Sequence, residues 1–301
     1  MRALSFGEIL WDIIDGKRYI GGAPFNLAAH LAKMGLESAM ISAVGNDELG
    51  TAALQSIGQL GVDLSYVRRD PDRATGTVDV VLSPDGQPDY TIHENTAWDA
   101  IQVSEEQLRQ IAASKWDVFS FGTLAQRTPE NRRALSAAIE AAKPREVVYD
   151  VNLRQNYFDR DWIERSLELC TILKLNNTEA EFLSEYLYKT QMGIDGFCEE
   201  TANRFRIPII CVTLGADGAS VWSNGSVAWV PGFQVDVVDT VGSGDAFTAG
   251  FVYALMHAKT PVESIRFACR IGAWVASNRS AVPEYSAEIR GKLEEMRGGR
   301  S

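Results

Sequence analysis

Residues 237–255 read VVDTVGSGDAFTAGFVYAL and join an apolar run, a glycine loop and the start of a helix. The glycines allow successive backbone N–H groups to converge on one point, and the helix N-terminus adds its partial positive charge there. Apolar residues recur at helical spacing beyond the loop, so the helix should be anchored by its apolar face. The backbone of Gly242, Ser243 and Gly244 is therefore predicted to bind an anion.

Asp245 follows this loop directly, where an unpaired carboxylate would repel a bound phosphate. One interpretation is that Asp245 is a general base, which takes the proton from a hydroxyl group that attacks a bound phosphoryl group. The other is that Asp245 is the N-cap of the helix, a position that favours aspartate. The loop alone leaves both interpretations open.

Outward from this loop, apolar β-rich runs alternate with segments of three-to-four-residue periodicity. This alternation predicts an α/β fold with a central, mostly parallel sheet and helices on both faces. The predicted strands are RALSFGEI (2–9), SAMISAVG (38–45), WDVFSFG (116–122), EVVYDV (146–151), CTILKLN (170–176) and PIICVTLG (208–215).

Two segments break the alternation, IIDGKRYIGG (13–22) and TGTVDVVLSPDGQPDYTIHENTAWDAI (75–101). Their turn residues stand between β-like runs with no helix between them, which predicts a small antiparallel sheet projecting from the main body. An ordinary surface hairpin is the alternative. No repeat or linker divides the chain, so one domain is predicted over residues 1–301, with the small sheet built from about 12–21 and 75–98.

A second glycine pair lies in YIGGAPFNLAAHLAKMG, residues 19–35. Pro24 suits a first helical turn, and the paired glycines would allow a ligand to approach the backbone. Asn26 can both donate and accept hydrogen bonds, as vicinal sugar hydroxyls require. A plain strand-to-helix turn explains the segment equally well.

Composition excludes several classes of protein. The chain has 301 residues and a formal net charge of -11, which opposes binding to nucleic acid. It has three histidines and four cysteines but no H-E-x-x-H or C-x-x-C spacing, so a metalloprotease or zinc cluster is disfavoured and the cysteines should be buried thiols. It also lacks a G-x-S-x-G elbow, a phosphate-binding G-x-x-x-x-G-K-[ST] loop and a dinucleotide fingerprint.

The N-terminal segment does not have the pattern of a secretory signal. Glu8 and Asp12 interrupt the apolar stretch that a secretory signal needs, and the apolar run after Asp245 is too short to span a bilayer. The sequence therefore predicts a cytoplasmic protein with no membrane partner.

GGAPFNLAAHLAKMG and DTVGSGDAFTAGF together resemble the two signature motifs of the ribokinase-like (PfkB) sugar kinase family. The resemblance runs from Leu4 to about Pro283. It includes GEILWD, TGTV, DVNLR, NNTE and VTLGADGA in the family's order. It implies a Rossmann-like ribokinase fold in which a β-sheet lid closes over a sugar and ATP lies along the sheet's C-terminal edge.

The resemblance also implies roles for individual residues. Asp245 would be the catalytic base, with the backbone of Gly242, Ser243 and Gly244 as the anion hole. The sugar would be bound by Asp12, Gly22 and Asn26, and Mg²⁺ would be organised, largely through water, by Asn176 and Glu179. The ATP phosphates and ribose would contact Thr213 and Gly215, and adenine would lie beside Asn278.

Family members often hold a monovalent cation such as K⁺ near the positions of Asp239 and residues 276–282. Here Ala281 stands where the family usually has glycine, which departs from that pattern. K⁺ is therefore an expected cofactor, although position 281 departs from the family pattern for binding it.

Within the family, GE-x-L-x-D, GGAP-x-N and the Ala97-Trp98-Asp99 run are most similar to fructokinases, although Trp98 could simply be a core residue. Phe25 stands where fructokinases usually have a small residue. Arg154 is similar to an arginine that some members direct at phosphates or at an acidic substrate, so 2-keto-3-deoxygluconate kinases are the alternative. A surface ion pair is the other interpretation of Arg154, and a silent sugar or nucleotide sensor is the non-enzymatic alternative.

The small sheet also suggests a partner. Val78, Val80 and Leu82 alternate with Asp79 and Ser83, a pattern that would give one apolar sheet face. A homodimer through this sheet is therefore expected.

Overall fold

A computed structural model describes residues 1–82 and 88–298. The chain divides into two compact units, Arg2–Arg145 and a second that spans Glu146–Ser301 and also includes Met1. In the described part of the chain, no helix combines the length and the apolar character that crossing a membrane requires.

The first unit contains eight strands and four helices in its described residues. Two 3₁₀ turns, at Ala97–Ala100 and Leu124–Arg127, complete it. The strands are β1 (Arg2–Phe6), β2 (Leu10–Ile14), β3 (Lys17–Gly21), β4 (Glu37–Gly45), β5 (Val67–Asp70), β6 (Gly76–Leu82), β7 (Pro88–Ile92) and β8 (Val118–Gly122), and the helices are α1 (Ala23–Lys33), α2 (Glu48–Gln59), α3 (Glu105–Ala113) and α4 (Pro129–Ala142).

Four of these strands form a parallel array in the order β8-β1-β4-β5. In β4 every residue after Glu37 is buried, as expected of a strand covered on both faces. The three strands predicted in this unit are confirmed, because all of them belong to this array.

The other four strands form a small sheet in the order β3-β2-β6-β7. β2 pairs antiparallel with β3, and β6 with β7, as predicted. The central pair β2–β6 is parallel, however, with Leu10 opposite Gly76, so the prediction of a wholly antiparallel sheet is wrong. Each hairpin contributes its first strand to this pair, and both first strands begin at the same end of the sheet. The predicted turn at 83–87 lies outside the described residues.

The second unit contains five strands and six helices in its described residues. A short 3₁₀ turn, Gly215–Asp217, follows its third strand. The strands are β9 (Glu146–Asp150), β10 (Ile172–Asn176), β11 (Ile209–Thr213), β12 (Gly218–Ser223) and β13 (Ser226–Pro231), and the helices are α5 (Arg160–Leu169), α6 (Asn177–Tyr188), α7 (Ile194–Phe205), α8 (Ser243–Met256), α9 (Pro261–Ala276) and α10 (Ala287–Gly298).

β9, β10 and β11 are parallel, as predicted, while β12 and β13 add an antiparallel edge that the sequence analysis did not identify. The mostly parallel strands, the alternating helices and the separate small sheet confirm the predicted α/β class. Because parallel strands end on the same side, β9, β10 and β11 bring their carboxyl ends together.

α8 is buried over nearly its whole length, with Ala246–Ala254 all inaccessible to solvent. It packs closely against α9, since a Cβ added to Gly250 would lie 3.1 Å from Ile271 Cγ1 and 3.2 Å from Ala268 Cα. A helix buried on all sides is held rigidly, which fixes the position of its first turn. The cysteine prediction is also confirmed, because the four cysteines are buried thiols: Cys170, Cys198, Cys211 and Cys269.

Candidate active site

The predicted anion loop begins α8. Gly242 is the N-cap and adopts a left-handed conformation with φ of 76°. A Cβ at this position would lie only 2.6 Å from Ala281 Cβ and 2.9 Å from the Ala281 carbonyl oxygen. Both the backbone conformation and the contact with Ala281 therefore require glycine.

The three loop residues differ in what their N–H groups do. The Ser243 N–H donates to the Thr240 carbonyl at 3.1 Å, so it already closes a turn. The Gly244 N–H lies in the first helical turn, where a helix provides no acceptor of its own. Between these two residues, Gly244 offers its N–H more directly to a ligand than Ser243 does.

Asp245 is the third residue of α8 and is partly exposed. The interpretation of Asp245 as the N-cap is wrong, because Gly242 occupies that position. A carboxylate in the first turn is stabilised by the helix dipole and stands beside the groups that would bind an anion. A capping role therefore does not account for Asp245.

Lys174 is buried on β10, next to this loop. Its Nζ lies 3.1 Å from Asp150 Oδ1, and a Cβ on Gly244 would be 3.5 Å from the same Nζ. Burial alone would lower the pKa of Lys174, but neighbouring negative charges outweigh it and the pKa is raised; they belong to Asp150, Glu179 and Asp245. A fixed positive charge therefore lies against the anion loop.

Asp150, at the end of β9, connects Lys174 to α8. Its Oδ2 accepts a hydrogen bond from Thr248 Oγ1 at 3.0 Å, and the same hydroxyl lies 3.0 Å from the Gly244 carbonyl oxygen. Lys174, Asp150 and Thr248 were missed as site residues. The available signal was Lys174 itself, since a lysine inside a buried strand needs a charged partner.

Asn176 and Glu179 form a capping box at the start of α6. Asn176 Oδ1 accepts from the Glu179 N–H, and Glu179 Oε2 accepts from the Asn176 N–H, each at 2.8 Å. Glu179 Oε1 also accepts the Leu153 N–H at 2.8 Å. Burial of Glu179 raises its pKa, and the Lys174 charge and the backbone donors oppose that rise only in part.

These oxygens decide what kind of cation could bind here. Among residues 1–82 and 88–298, no group of three or more His, Cys, Asp or Glu side chains is arranged to hold a metal ion. Both oxygens of Glu179 already accept N–H groups, and each keeps a second lone pair. This donor set fits a hard cation held through water and ligand oxygens.

Arg154 follows β9 in the same loop as Leu153 and is exposed. Its Nη1 donates to the Leu153 carbonyl at 3.3 Å. Asn152 and Gln155 on either side have φ of 40° and 47°. Arg154 is therefore presented to solvent from a tightly turned loop, and no ion pair to a surface carboxylate is seen for it in the described part of the chain.

The predicted nucleotide residues divide into two places. Thr213 ends β11 directly opposite Asn176 of β10, and Gly215 begins the next turn with φ of 59°. Asn278 instead lies just beyond α9, where its Nδ2 donates to the Trp274 carbonyl at 2.6 Å. The structure brings Thr213 and Asn176 together at the ends of neighbouring strands. It places Asn278 elsewhere, just beyond the C-terminal end of α9.

Asp239 lies beside the C-terminal end of α9. The N–H groups of Val238 and Asp239 donate to the Ala276 carbonyl at 2.8 and 3.1 Å. Asp239 Oδ1 accepts the Val241 N–H at 3.0 Å. The segment before the anion loop is thus tied to the C-terminus of α9.

The predicted sugar residues all lie in the first unit. Gly22 caps α1 with φ of 113°, and a Cβ there would collide with the Glu8 carbonyl oxygen. The Asp12 carboxylate lies directly over the Gly21 backbone. Asn26, one helical turn on, is buried and its N–H donates to the Gly22 carbonyl at 2.8 Å.

The Asp12 and Glu8 side chains thus lie beside the glycine pair, and Glu8 is 4% exposed. Trp98, by contrast, is fully buried, so its interpretation as a core residue is correct. Phe25 is also fully buried.

Comparison with known proteins places the chain in a family. The family model described as pfkB family carbohydrate kinase matches residues 4–287. A fructokinase from Klebsiella pneumoniae is 32% identical over 264 residues, covering 83% of this chain and 82% of the relative. Fructokinase-1 from Zea mays is 28% identical over 314 residues, covering 95% and 94%.

Among solved structures, a fructokinase double mutant from Vibrio cholerae O395, with fructose, ADP and a potassium ion bound, superimposes with a TM-score of 0.81. It is 26% identical, and the match covers 98% of this chain and 97% of that one. The α/β fold is the one expected for this family. The glycine-capped helix with its first-turn aspartate lies within the matched residues. The chain belongs to the pfkB family of carbohydrate kinases and is a phosphotransferase that acts on a sugar hydroxyl.

Proposed function

We propose that this chain transfers the terminal phosphoryl group of ATP to the primary hydroxyl of a ketohexose, with fructose converted to fructose 6-phosphate as the preferred reaction. The observation that carries the proposal is Asp245, a first-turn carboxylate beside the Gly244 N–H and a buried lysine charge. The names of its relatives favour fructose as the substrate.

In this proposal Asp245 accepts the proton of the sugar hydroxyl as its oxygen attacks the phosphorus. The Gly244 N–H and the α8 dipole stabilise negative charge on the transferred group. Gly242 and Ser243 give the loop its shape. The hydroxyl oxygen gains the phosphoryl group, ADP leaves, and the proton ends on Asp245.

We assign sugar binding to Asp12, Gly22 and Asn26. Asp12 and Asn26 offer the carboxylate and amide groups that hydroxyls bond to, and Gly22 lets the sugar approach the backbone. Closing the small sheet over the sugar would exclude water and limit hydrolysis of ATP.

We assign the nucleotide to Thr213, Gly215 and Asn278. Asn176 and Glu179 would organise Mg²⁺ through water, and the ion would neutralise phosphate charge. K⁺ binding beside Asp239 belongs to the same proposal, with Ala281 as the residue that departs from the family pattern.

A second candidate follows from Arg154. An exposed guanidinium on an ordered loop suits a planar carboxylate, which a keto acid sugar carries and fructose lacks. A 2-keto-3-deoxygluconate kinase is therefore the alternative reaction on the same catalytic loop.

The test is ADP release with Mg²⁺ and ATP against fructose, ribose, tagatose, 2-keto-3-deoxygluconate, fructose 6-phosphate and adenosine, with and without K⁺. A dominant fructose signal supports the proposal. Preference for the keto acid selects the alternative, and its KM should then rise in Arg154→Gln. Ligand-induced thermal stabilisation without ADP release across the panel would contradict catalysis and indicate a sensor.

We also propose that the protein works in the cytoplasm, where ATP is available, and as a homodimer through the small sheet. The expected face is an exposed one, and for Val78 that expectation is wrong, because this residue is already buried within the single chain; the side chains of Val80 and Leu82, and all of Ser83, lie outside the described residues. Sedimentation velocity tests the dimer, and a monomer at working concentration would contradict it.

A further inference from the structure

One hydroxyl lies between the catalytic loop and the carboxyl end of a strand. Thr248 Oγ1 is 3.0 Å from Asp150 Oδ2 and 3.0 Å from the Gly244 carbonyl oxygen. A carboxylate and a carbonyl only accept hydrogen bonds, and the hydroxyl has one proton, which it shares between the two oxygens in a three-centre hydrogen bond. Thr248 is 1% exposed, so bulk solvent does not reach its hydroxyl.

The carbonyl that Thr248 holds belongs to a peptide with a special position. The Gly244 C=O and the Asp245 N–H are parts of the same planar unit. Fixing the oxygen therefore fixes the plane from which the Asp245 Cα and its carboxylate start. In α8 the helical pattern pairs this carbonyl with the Thr248 N–H, and the Thr248 hydroxyl is a further donor to the same oxygen.

Asp150 is itself held in place. Lys174 Nζ lies 3.1 Å from its Oδ1, on the side away from the oxygen that Thr248 contacts, and both side chains are largely buried. The carboxylate is thus fixed at one oxygen by an ammonium group and presents the other to Thr248. A fixed acceptor gives the hydroxyl one preferred direction.

From these contacts we propose that Thr248 is a positioning residue, whose hydroxyl, fixed by Asp150, orients the Gly244–Asp245 peptide for phosphoryl transfer. This inference rests on the proposed function, because it assigns Thr248 a task in that reaction. Thr248 acts through Asp245 and Gly244 and does not itself contact the substrate.

The test compares Thr248→Val, which keeps the shape and removes the hydroxyl, with Thr248→Ser, which keeps the hydroxyl. Displacing a catalytic group by about 1 Å can cost on the order of 100-fold in rate. We expect kcat in Thr248→Val to fall roughly 10- to 100-fold. KM for the sugar should change less than about twofold, because the sugar residues are untouched. Thr248→Ser should restore most of kcat.

Ser264→Ala is the matched control. Ser264 is also a buried helical hydroxyl and donates to the carbonyl four residues back, Thr260 O at 2.9 Å, and within the described residues this hydroxyl bonds to no carboxylate. A general effect of losing such a hydroxyl would lower Tm in both variants and kcat in neither. Equal kcat in Thr248→Val and Thr248→Ser would overturn the proposal.

Hydrogen–deuterium exchange gives a second measurement that needs no turnover. Peptides covering 240–248 should exchange faster in Thr248→Val than in the wild type, and at the wild-type rate in Thr248→Ser. Unchanged exchange in Thr248→Val would also overturn the proposal. If the wild type released no ADP with any sugar, the proposed function would fail, and the exchange comparison would still decide whether Thr248 orders this loop.

Discussion

Arg127 grips the Asp99 carboxylate with two parallel hydrogen bonds, Nε to Oδ1 at 2.6 Å and Nη2 to Oδ2 at 2.7 Å. Both side chains are only 6% exposed. Arg127 Nη2 also donates to the His93 carbonyl at 2.7 Å, just beyond β7. Arg127, at the end of the 3₁₀ turn Leu124–Arg127, therefore connects the end of the small sheet with the 3₁₀ turn Ala97–Ala100, which contains Asp99.

Removing the guanidinium should leave a buried carboxylate without its cation. We expect Arg127→Met to lower the free energy of unfolding by about 3–5 kcal/mol, the usual range for breaking a buried pair. Arg109→Met is the control, because its pair with Glu106 is largely exposed and screened by solvent, so its loss should leave the unfolding free energy nearly unchanged. Urea denaturation measures both, and equal losses would contradict this account.

Asp245→Asn should keep the fold and lose turnover. The amide cannot accept the hydroxyl proton, so kcat should fall by about 10²- to 10⁴-fold or more. Glu130→Gln is the control, since Glu130 is an exposed first-turn carboxylate of α4. Steady-state ADP release measures both variants, and an unchanged kcat in Asp245→Asn would rule out the base assignment.

Gly242→Ala and Gly244→Ala should differ in stability, because position 242 has no room for a Cβ and position 244 does. At 242 the added Cβ would meet Ala281 at 2.6 Å from a left-handed backbone, so we expect a clear loss of Tm. At 244 its nearest neighbour would be Lys174 Nζ at 3.5 Å, an ordinary contact, so Tm should stay near the wild type. Calorimetry tests the difference, and equal losses of Tm would be the contrary result.

Asp47 should make stability depend on acid pH. Its Oδ1 accepts the Thr75 hydroxyl at 2.6 Å and the Gly50 N–H at 2.7 Å, and its Oδ2 accepts the Thr75 N–H at 2.8 Å. Burial alone would raise the pKa of Asp47, but these hydrogen bonds outweigh it and lower the pKa below 3.8.

A lowered pKa stabilises the fold above the unfolded-state value and loses that effect as pH falls through the folded-state value. The wild type should therefore exceed Asp47→Asn in unfolding free energy at pH 7, by an amount that shrinks below about pH 4. Urea titrations across pH 2–7 measure this, with the exposed neighbour in Glu48→Gln as control. A constant difference would show that the carboxylate charge is not the cause.

Local sequence patterns were enough to predict most strands of the main sheet. The six strands were visible as apolar runs, because a strand buried on both faces must be apolar throughout. The parallel pairing of β2 with β6 was not visible, since hairpin signals report only which neighbours along the chain pair. β12 and β13 were missed because serines interrupt their apolar runs, at Ser220, Ser223 and Ser226.

The candidate site was predicted where a motif is contiguous. Asp245 and Gly242 stand in one loop, so their spacing carries the signal. Asp150, Lys174 and Thr248 meet only through tertiary packing; a lysine inside an apolar strand indicates that a charged partner exists, but not which residue it is. Glu179 has one contact of each kind. Its capping box with Asn176 is local in sequence and could be predicted, whereas its bond to the Leu153 N–H is a tertiary contact and could not.

The bond between Thr248 and Asp150 joins residues 98 positions apart. Loop closure over such a span is entropically costly, and contacts of this kind form late when a chain folds. The bond from Thr248 to Asp150 can form only when β9 is in place beside α8. A refolding chain should therefore recover its strands and helices before it recovers turnover.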